Sequence, residues 1–578
     1  MKPWLITTFL LGCVAAFILC FSFTYPFQLG LYHILSLTVL LIFASTLILL
    51  VKYSLRNKNV SYFLSNGIAG SLWVFLCFFY TVVLGSNHFW GNTITFEILK
   101  NYLTSFDSIL SILPVEKWLL VSIIVLYFLI ILAAFYFIRL KRTYFLSNDT
   151  NPGRFSLKRA GVVALILLVS AWLCRKPIMN LKRTMHFKQE PLLYFVFGPM
   201  WDVHSDQLLT TTHVNSEQDL KCIDSIRPAP EKDKIAIIIL LDALRSDHLP
   251  MYGYGRNTTP FLDSLYKTGN LCKIKNSFSN STNTIGGISG LFYSKDWNDF
   301  NFSQLNMMQY FQLSGYTTSA FLTGYHSGWY GLSAMYRNYC DNFYESTSAY
   351  HTATDDDLVT LKKIESAPFK PGSFIFIHLL STHSVGKRDK AFRLYYPDKM
   401  GLTTTMKEAL VNNYDNGILQ GDYVINKIFQ KLRNENILDK TTLFIVGDHG
   451  DLLGEDGAYG HSGGLHEKLL EVPILIYDRD LQWYRETRIA SLMDIAPTLT
   501  DRIFSQSPSC WEGRSLHDQF QLPSSTKVSA STVKTDHLNG TILFTNDTLD
   551  LKIFDKNGKL QRTALKVDSV NWKTIFQK

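Results

Sequence analysis

An acid, an imidazole and a glycine follow one another at Asp448-His449-Gly450, one glycine beyond the apolar run Leu443-Phe444-Ile445-Val446. A carboxylate oxygen beside an imidazole nitrogen is a mixed donor set suited to Zn²⁺ or Mn²⁺. A second acid, Asp242, closes another apolar run that begins at Ile235 and ends at Leu241. Taken alone, Asp-His-Gly is equally the sequence of an Asx turn that closes a strand, with Gly450 allowing the sharp bend. The position of the two acids carries more information. Both terminate short, β-branched and leucine-rich runs of the kind that form buried parallel strands, and open α/β sheets bind their ligands just beyond the carboxyl ends of such strands.

The elements that must place those two strand ends side by side can be read along residues 233–525. Further apolar runs at 317–322, 374–379 and 473–477 predict strands. Between them, the stretch 414–432 sets Ile418, Val424, Ile425, Ile428 and Leu432 on one helical face. Strands alternating with helices over such lengths predict a doubly wound, mostly parallel sheet. Residues 526–578 hold Asn539-Gly540 and Asn557-Gly558 among short alternating runs, which predicts hairpins and a small C-terminal antiparallel subdomain.

The first third of the 578-residue chain has another character, and it holds most of what makes the whole 47% hydrophobic and 14% aromatic. Apolar segments at 4–23, 29–51, 62–84 and 118–138 each reach the ~20 residues that cross a hydrocarbon core. A shorter one at 160–174 is flanked by Lys158, Arg159, Arg175 and Lys176, whose long side chains can snorkel to the two interfaces. Residues 1–175 thus predict a five-helix transmembrane domain. Lys52, Arg56 and Lys58 in one loop, and Arg139, Lys141, Arg142, Arg154, Lys158 and Arg159 in another, mark those loops as cytoplasmic. The intervening loop, with Glu97, Asp107 and Glu116, lies outside, and so does everything after the fifth span. Residues 176–232 read as an extracytoplasmic linker ending in Arg227-Pro228-Ala229-Pro230. The net charge of +8 accompanies no stripe of basic and aromatic residues, so nucleic acid is not an expected partner. Cys222, Cys272, Cys340 and Cys510 stand outside the spans and allow three two-disulfide pairings, between which the sequence does not choose.

Four separated stretches in register carry a resemblance. Asp242 through Asp263, Tyr414 through Asp422, Asp448 through His461, and Asp494 through Thr500 resemble the sulfatase and alkaline phosphatase superfamily. With the five spans, the layout is similar to the membrane phosphoethanolamine transferases of the bacterial lipid A pathway and, more distantly, to the lipoteichoic acid synthases. The resemblance implies a sulfatase-like α/β domain, metal ligands at Asp242, Asp448 and His449, and a threonine nucleophile that also meets the metal. Counting back from Leu291-Phe292 puts that threonine at Thr284, with Thr282 and Ser281 in reserve. A Ser/Thr/Asn cluster before a helix is otherwise an ordinary N-cap, and the helix is expected to begin near Gly286.

The same resemblance implies phosphoryl-binding or proton-transferring roles for His383 and His461, a structural role for His378, and outlying support from Asp451 and Glu455. Lys387 and Arg388 either meet an anionic head group or form a solvated charged pair. The chain departs from the pattern where the relatives contact the donor head group, offering Tyr325, His326 and Trp329 instead. It also lacks the sulfatase Cys-x-Pro-x-Arg, which excludes formylglycine chemistry. The implied activity is transfer of a phospholipid head group, phosphoethanolamine favoured, through a covalent threonine intermediate. The acceptor is an envelope glycan or a lipid A-type molecule, and the cation is Zn²⁺, or alternatively Mn²⁺. The implied place is the bacterial cytoplasmic membrane, with the catalytic domain periplasmic. The alternatives are a phosphoglycerol transferase, an anchored phosphate or sulfate ester hydrolase, and a non-catalytic lipid-sensing regulator.

Overall fold

A computed structural model describes residues 27–54, 58–90 and most of 217–517, where 230–231, 297–299, 301, 328–331, 347–355, 400–403, 462–464 and 485–488 are left out. It also describes the strands 525–530, 538–545, 548–554 and 560–564, and short pieces at 10, 12–18, 121–122, 125–129 and 191–192. The chain divides into two compact units, one within the first 201 residues and one that holds 202–578.

In the first unit, helices α1 (Phe27–Ser54) and α2 (Lys58–Trp90) correspond to the second and third expected spans and run past both ends of each. Leu37, Leu41 and Ile48 of α1 pack with Leu76, Phe79 and Val83 of α2, and the buried ring of His33 bonds the Tyr80 hydroxyl at 3.0 Å. The window Gly67–Leu84 is long and apolar enough to cross a membrane, while His33–Ile48 is a shorter apolar stretch. The expected span at 160–174, most of that at 118–138, much of that at 4–23, and most of the linker lie outside the described residues.

The second unit opens with α3 (Glu217–Ser225) and is built on strands β1 (Ile235–Leu241), β2 (Cys272–Lys273), β3 (Ser277–Phe278), β4 (Thr317–Leu322), β5 (Asn342–Glu345), β6 (Ser373–Leu379), β7 (Thr441–Gly447), β8 (Leu452–Leu453), β9 (Tyr459–Gly460), β10 (Ile474–Tyr477) and β11 (Ala490–Ser491). Seven of these form one sheet in the order β2-β10-β7-β1-β6-β4-β5. β1 lies at its centre, parallel to β6 on one side and to β7 on the other. Every residue of β1, β6 and β7 is buried, as both-face coverage by helices requires.

Alternate residues of β1 feed two cores. Ala236, Ile238 and Leu240 pack with Phe292, Phe311 and Phe376, whereas Ile235, Ile237 and Ile239 pack with Ile418, Ile425 and Phe429. The helices are α4 (Pro260–Lys267), α5 (Thr284–Tyr293), α6 (Met307–Leu313), α7 (Asp357–Ser366), α8 (Met406–Asn434), α9 (Glu467–Leu470) and α10 (Ile495–Phe504). α8 contains the expected 414–432 helix and extends it at both ends. The run at 473–477 does form a strand, but β10 is antiparallel to β7, so the sheet is mostly rather than wholly parallel.

The C-terminal strands β12 (Ser525–Ala530), β13 (Leu538–Thr545), β14 (Thr548–Phe554) and β15 (Leu560–Ala564) form the expected antiparallel sheet. The turn assignment needs correction. Asn539-Gly540 lies inside β13, paired with Phe554 and Ile553, because alternating residues on both sides extend the strand through it. Asn557-Gly558 lies outside the described residues.

Candidate active site

The register of the central strands builds the site. Leu241 of β1 sits opposite Gly447 of β7 and Leu379 of β6, so the next residues along, Asp242 and Asp448, leave the sheet as neighbours at its carboxyl edge. One ligand atom from each of Asp242, Asp448 and His449 lies within 4.8 Å of the others, and all three residues are buried.

Each side chain is held by the bonds of its other atoms. Asp448 Oδ1 accepts the backbone N–H of Ala243 at 3.0 Å and of His449 at 2.9 Å. His378 Nε2 donates to Asp242 Oδ2 at 3.2 Å. His449 Nδ1 donates to the Gly450 carbonyl at 2.8 Å; a carbonyl only accepts, so the neutral ring carries its proton at Nδ1 and presents a lone pair at Nε2. That Nε2 lies 3.5 Å from Asp242 Oδ1 and 3.5 Å from Asp448 Oδ2. Those two oxygens are buried with no hydrogen-bond partner among the described residues.

Thr284 comes to the same point from α5. Asn283 caps the helix, its side chain accepting the Gly286 N–H at 3.0 Å, so α5 begins at Thr284 rather than near Gly286. The cap leaves the Thr284 hydroxyl free to donate to His449 Nε2 at 3.1 Å, at a helix N-terminus whose partial positive charge favours an oxyanion. Thr284 is half-buried, whereas Ser281 and Thr282 are fully buried and their hydroxyls bond nothing among the described residues. Gly287 is what lets α5 approach: a Cβ there would stand 2.3 Å from the carbonyl oxygen of Asp448.

Burial holds Asp242 well above the usual carboxylate range, and the Asp448 carboxylate beside it adds to the effect. Burial raises Asp448 too, against the opposing influence of His378 and of the two N–H donors. His449 is pushed down to about 3, first by burial and then by His461, and His378 to about 4 by burial. Two carboxyl groups and a neutral imidazole face one another in a buried cluster, and two oxygens have no partner among the described residues. Such a group is costly unless a cation completes it, and its mixed oxygen and nitrogen donors suit a divalent metal. The residues present therefore fit a metal site.

His383 and His461 border this cluster. Val385 N–H donates to His383 Nδ1 at 3.3 Å, which leaves the ring proton on Nε2, 3.9 Å from Asp242 Oδ1. Burial, then His461 and His449, hold His383 well below the ordinary histidine value. His461 packs on His449 with ring centroids 4.3 Å apart and bonds Asp451 through Nδ1 at 2.8 Å. Burial opposes its charge, but the bond to Asp451 and the carboxylates of Asp451, Asp242 and Asp448 prevail and raise it. The surroundings thus push the two imidazoles in opposite directions, the division acid–base chemistry uses.

Several residues were missed or differently assigned by the sequence. His378 bonds Asp242 directly; its only signal is a histidine inside an otherwise apolar strand. Arg245, three residues after Asp242, is buried, grips Asp247 with two bonds of 2.9 and 2.8 Å, and reaches the Asp451 carbonyl and Glu455 at 2.8 Å each. It ties the β1 loop to the loop that carries Asp451, the partner of His461. Lys387 pairs with Asp356 at 2.6 Å. Arg388 is buried against the carbonyls of Thr382, Ser384 and Gly386 and so does not form the solvated pair, whereas Lys387 keeps a partly exposed ion pair. His326 is fully buried, bonded to Tyr336 and the Thr323 carbonyl; Trp329 lies outside the described residues.

Residues 234–503 match the family model described as Sulfatase. The phosphoethanolamine transferase EptA of Helicobacter pylori is 25% identical over 282 residues, covering 44% of this chain and 50% of that protein. The phosphatidylethanolamine transferase Mcr-2 of Escherichia coli is 24% identical over 257 residues, covering 41% and 47%. The chain spans about half the length of these relatives. Among solved structures, the integral membrane lipooligosaccharide phosphoethanolamine transferase EptA of Neisseria meningitidis is 17% identical with a TM-score of 0.48, over 86% of this chain and 95% of that one.

Proposed function

We propose, from the premise that residues 234–503 are a sulfatase-superfamily domain, that this protein transfers a phosphoethanolamine head group from a membrane phospholipid to an oxygen of a lipid A-type or glycan acceptor. The observation that carries the reading is the Thr284 hydroxyl, 3.1 Å from His449 Nε2 and beside two unpaired buried carboxylate oxygens. A hydroxyl is a poor nucleophile at neutral pH and needs its proton removed. Asp242, Asp448 and His449 would hold a divalent cation, Zn²⁺ best suited to the donor set. Such an ion supplies Lewis acidity, which lowers the hydroxyl pKa and neutralises charge on a phosphoryl oxygen.

The chain's own residues account for the rest. Thr284 releases its hydroxyl proton to solvent, from which it is later reprotonated, and its oxygen attacks the donor phosphorus; a bond from phosphorus to Thr284 forms, and the bond to the diacylglycerol oxygen breaks. Protonated His461, held by Asp451, gives that oxygen its proton. The acceptor oxygen then attacks the same phosphorus, loses its proton to the imidazole, and Thr284 leaves and is reprotonated. His383, with its proton on Nε2, donates to a phosphoryl oxygen and carries no net charge in doing so. The head group follows the names of the relatives, and a lipid donor accords with the apolar helices of the first unit, proposed as part of a five-span anchor in the cytoplasmic membrane, residues 1–175, that leaves residues 233–525 and 526–578 periplasmic.

The test is mass spectrometry of the protein after incubation with phosphatidylethanolamine and no acceptor. Thr284 should carry the head group, and Thr284→Ala should carry none and transfer none. A Thr284→Ala protein that still transfers at the wild-type rate overturns the reading.

A further inference from the structure

Cys222 of α3 and Cys510, which follows α10, are separated by most of the second unit in sequence but meet in one core. Both are buried among the same apolar residues, with Trp511 and Tyr484 nearby. Cys222 Sγ lies 3.8 Å from the hydroxyl of Ser509, the residue before Cys510, and burial, then the neighbouring Cys222 thiol, pushes the Cys510 thiol up. Neither takes part in the chemistry above. The sheet topology keeps the other two cysteines from each other. Cys272 belongs to β2, one edge strand, and Cys340 stands two residues before the start of β5, the opposite edge. Six inter-strand steps at about 4.8 Å each put them roughly 29 Å apart, far beyond the ~7 Å between Cα atoms that a disulfide tolerates.

We propose that Cys222 and Cys510 form a disulfide in the mature protein and that Cys272 and Cys340 remain thiols. The bond closes a covalent loop around every element from β1 to α10, including the whole candidate site. Its formation rests on the reading that this unit is extracytoplasmic, where disulfides persist. A thiol oxidase that donates a disulfide is the co-reactant. One cysteine thiolate attacks the donor to give a mixed disulfide, and the second thiolate displaces it. The two cysteines lose two protons and two electrons, and the donor leaves as a dithiol. Because both sulfurs are buried in the finished fold, the exchange takes place before the core closes, and the completed bond is shielded from small reductants.

Full-length protein, extracted in detergent from a bacterial host, is unfolded in N-ethylmaleimide and digested without reduction. The expected result is a linked Cys222–Cys510 peptide beside alkylated Cys272 and Cys340. Cys222→Ser, Cys510→Ser and the double variant should each lower the melting midpoint by a similar amount, roughly 5–15 °C, because either single change already removes the bond. A reporter fused to the C-terminus fixes the compartment in the same cells. Alkylation of all four cysteines in a protein whose reporter is periplasmic overturns the disulfide alone, as does any other pairing. A cytoplasmic reporter overturns the placement, and the disulfide with it.

Discussion

Replacing Gly287 by alanine sets two effects against each other whose signs differ. Gly287 lies in the first turn of α5, and alanine in a helix is favoured over glycine by about 1 kcal/mol. If the surroundings were open, the substitution would stabilise the protein. The surroundings are closed. The new methyl would stand 2.3 Å from the Asp448 carbonyl oxygen, 2.9 Å from its carbonyl carbon and 3.0 Å from its Cβ. A carbon and an oxygen need about 3.3 Å, so α5 and the end of β7 must separate by roughly 1 Å, and the obstacle is backbone rather than a side chain that could rotate. Overpacking of this kind costs ~1–3 kcal/mol, which outweighs the helical gain. The same shift opens the 3.1 Å bond from Thr284 to His449, and a misplacement of ~1 Å at a reacting group costs about 10²-fold in rate. The expectation is a melting midpoint lowered by a few degrees and head-group transfer lowered about a hundredfold. Gly255→Ala, where a methyl meets nothing within 4 Å, serves as control and should leave both unchanged. A Gly287→Ala protein with wild-type transfer and a raised midpoint would refute the close approach of α5 to Asp448, and with it the placement of Thr284.

Asp448→Asn should abolish transfer and metal retention, yet make the metal-free protein more stable than metal-free wild type, because one of two buried, mutually repelling carboxylates is gone while Oδ1 still accepts from Ala243 and His449; melting curves with and without chelator read both signs, and a metal-free variant less stable than metal-free wild type counts against the cluster. Arg245→Lys should destabilise by about 3–5 kcal/mol, since an ammonium cannot reproduce bonds to Asp247, Glu455 and the Asp451 carbonyl together, and a midpoint within a degree of wild type would show that the fork does not matter. Asp422 receives the N–H groups of Phe261 and Leu262 at the start of α4, and burial raises it to about 7. Its folded value exceeds the unfolded value near 4, so the folded state holds the extra proton and stability contributed by this group falls as pH rises from about 4 to about 7. Unfolding by urea across that window should show the slope, and Asp422→Asn should flatten it; an unchanged slope removes Asp422 as its source.

What the sequence made legible follows from how local each signal is. Strand ends and the residues just beyond them are written consecutively, so Asp242 and Asp448-His449 could be picked out as chemistry at a sheet edge. That they face each other depends on β1 and β7 being adjacent, a pairing between residues some 200 positions apart that no local pattern records. The cap of α5 shows the opposite limit. Asn283 and Thr284 are both good capping residues, and composition alone cannot say which one is spent on the backbone. The choice falls on Asn283 because the two glycines that follow let the first turn press against Ser281 and Asp448, which turns the threonine toward His449. His378 and Arg245 were harder still, since each acts through a polar contact made by an otherwise apolar or loop segment. A buried histidine in a strand and a buried arginine in a turn must be satisfied by something. Here each finds a partner in the acid network that supports the cluster, Arg245 through its whole fork and His378 through Nε2 alone. Polar residues in positions where burial is expected, paired across the sheet edge, are therefore the signal to follow when only a chain of letters is in hand.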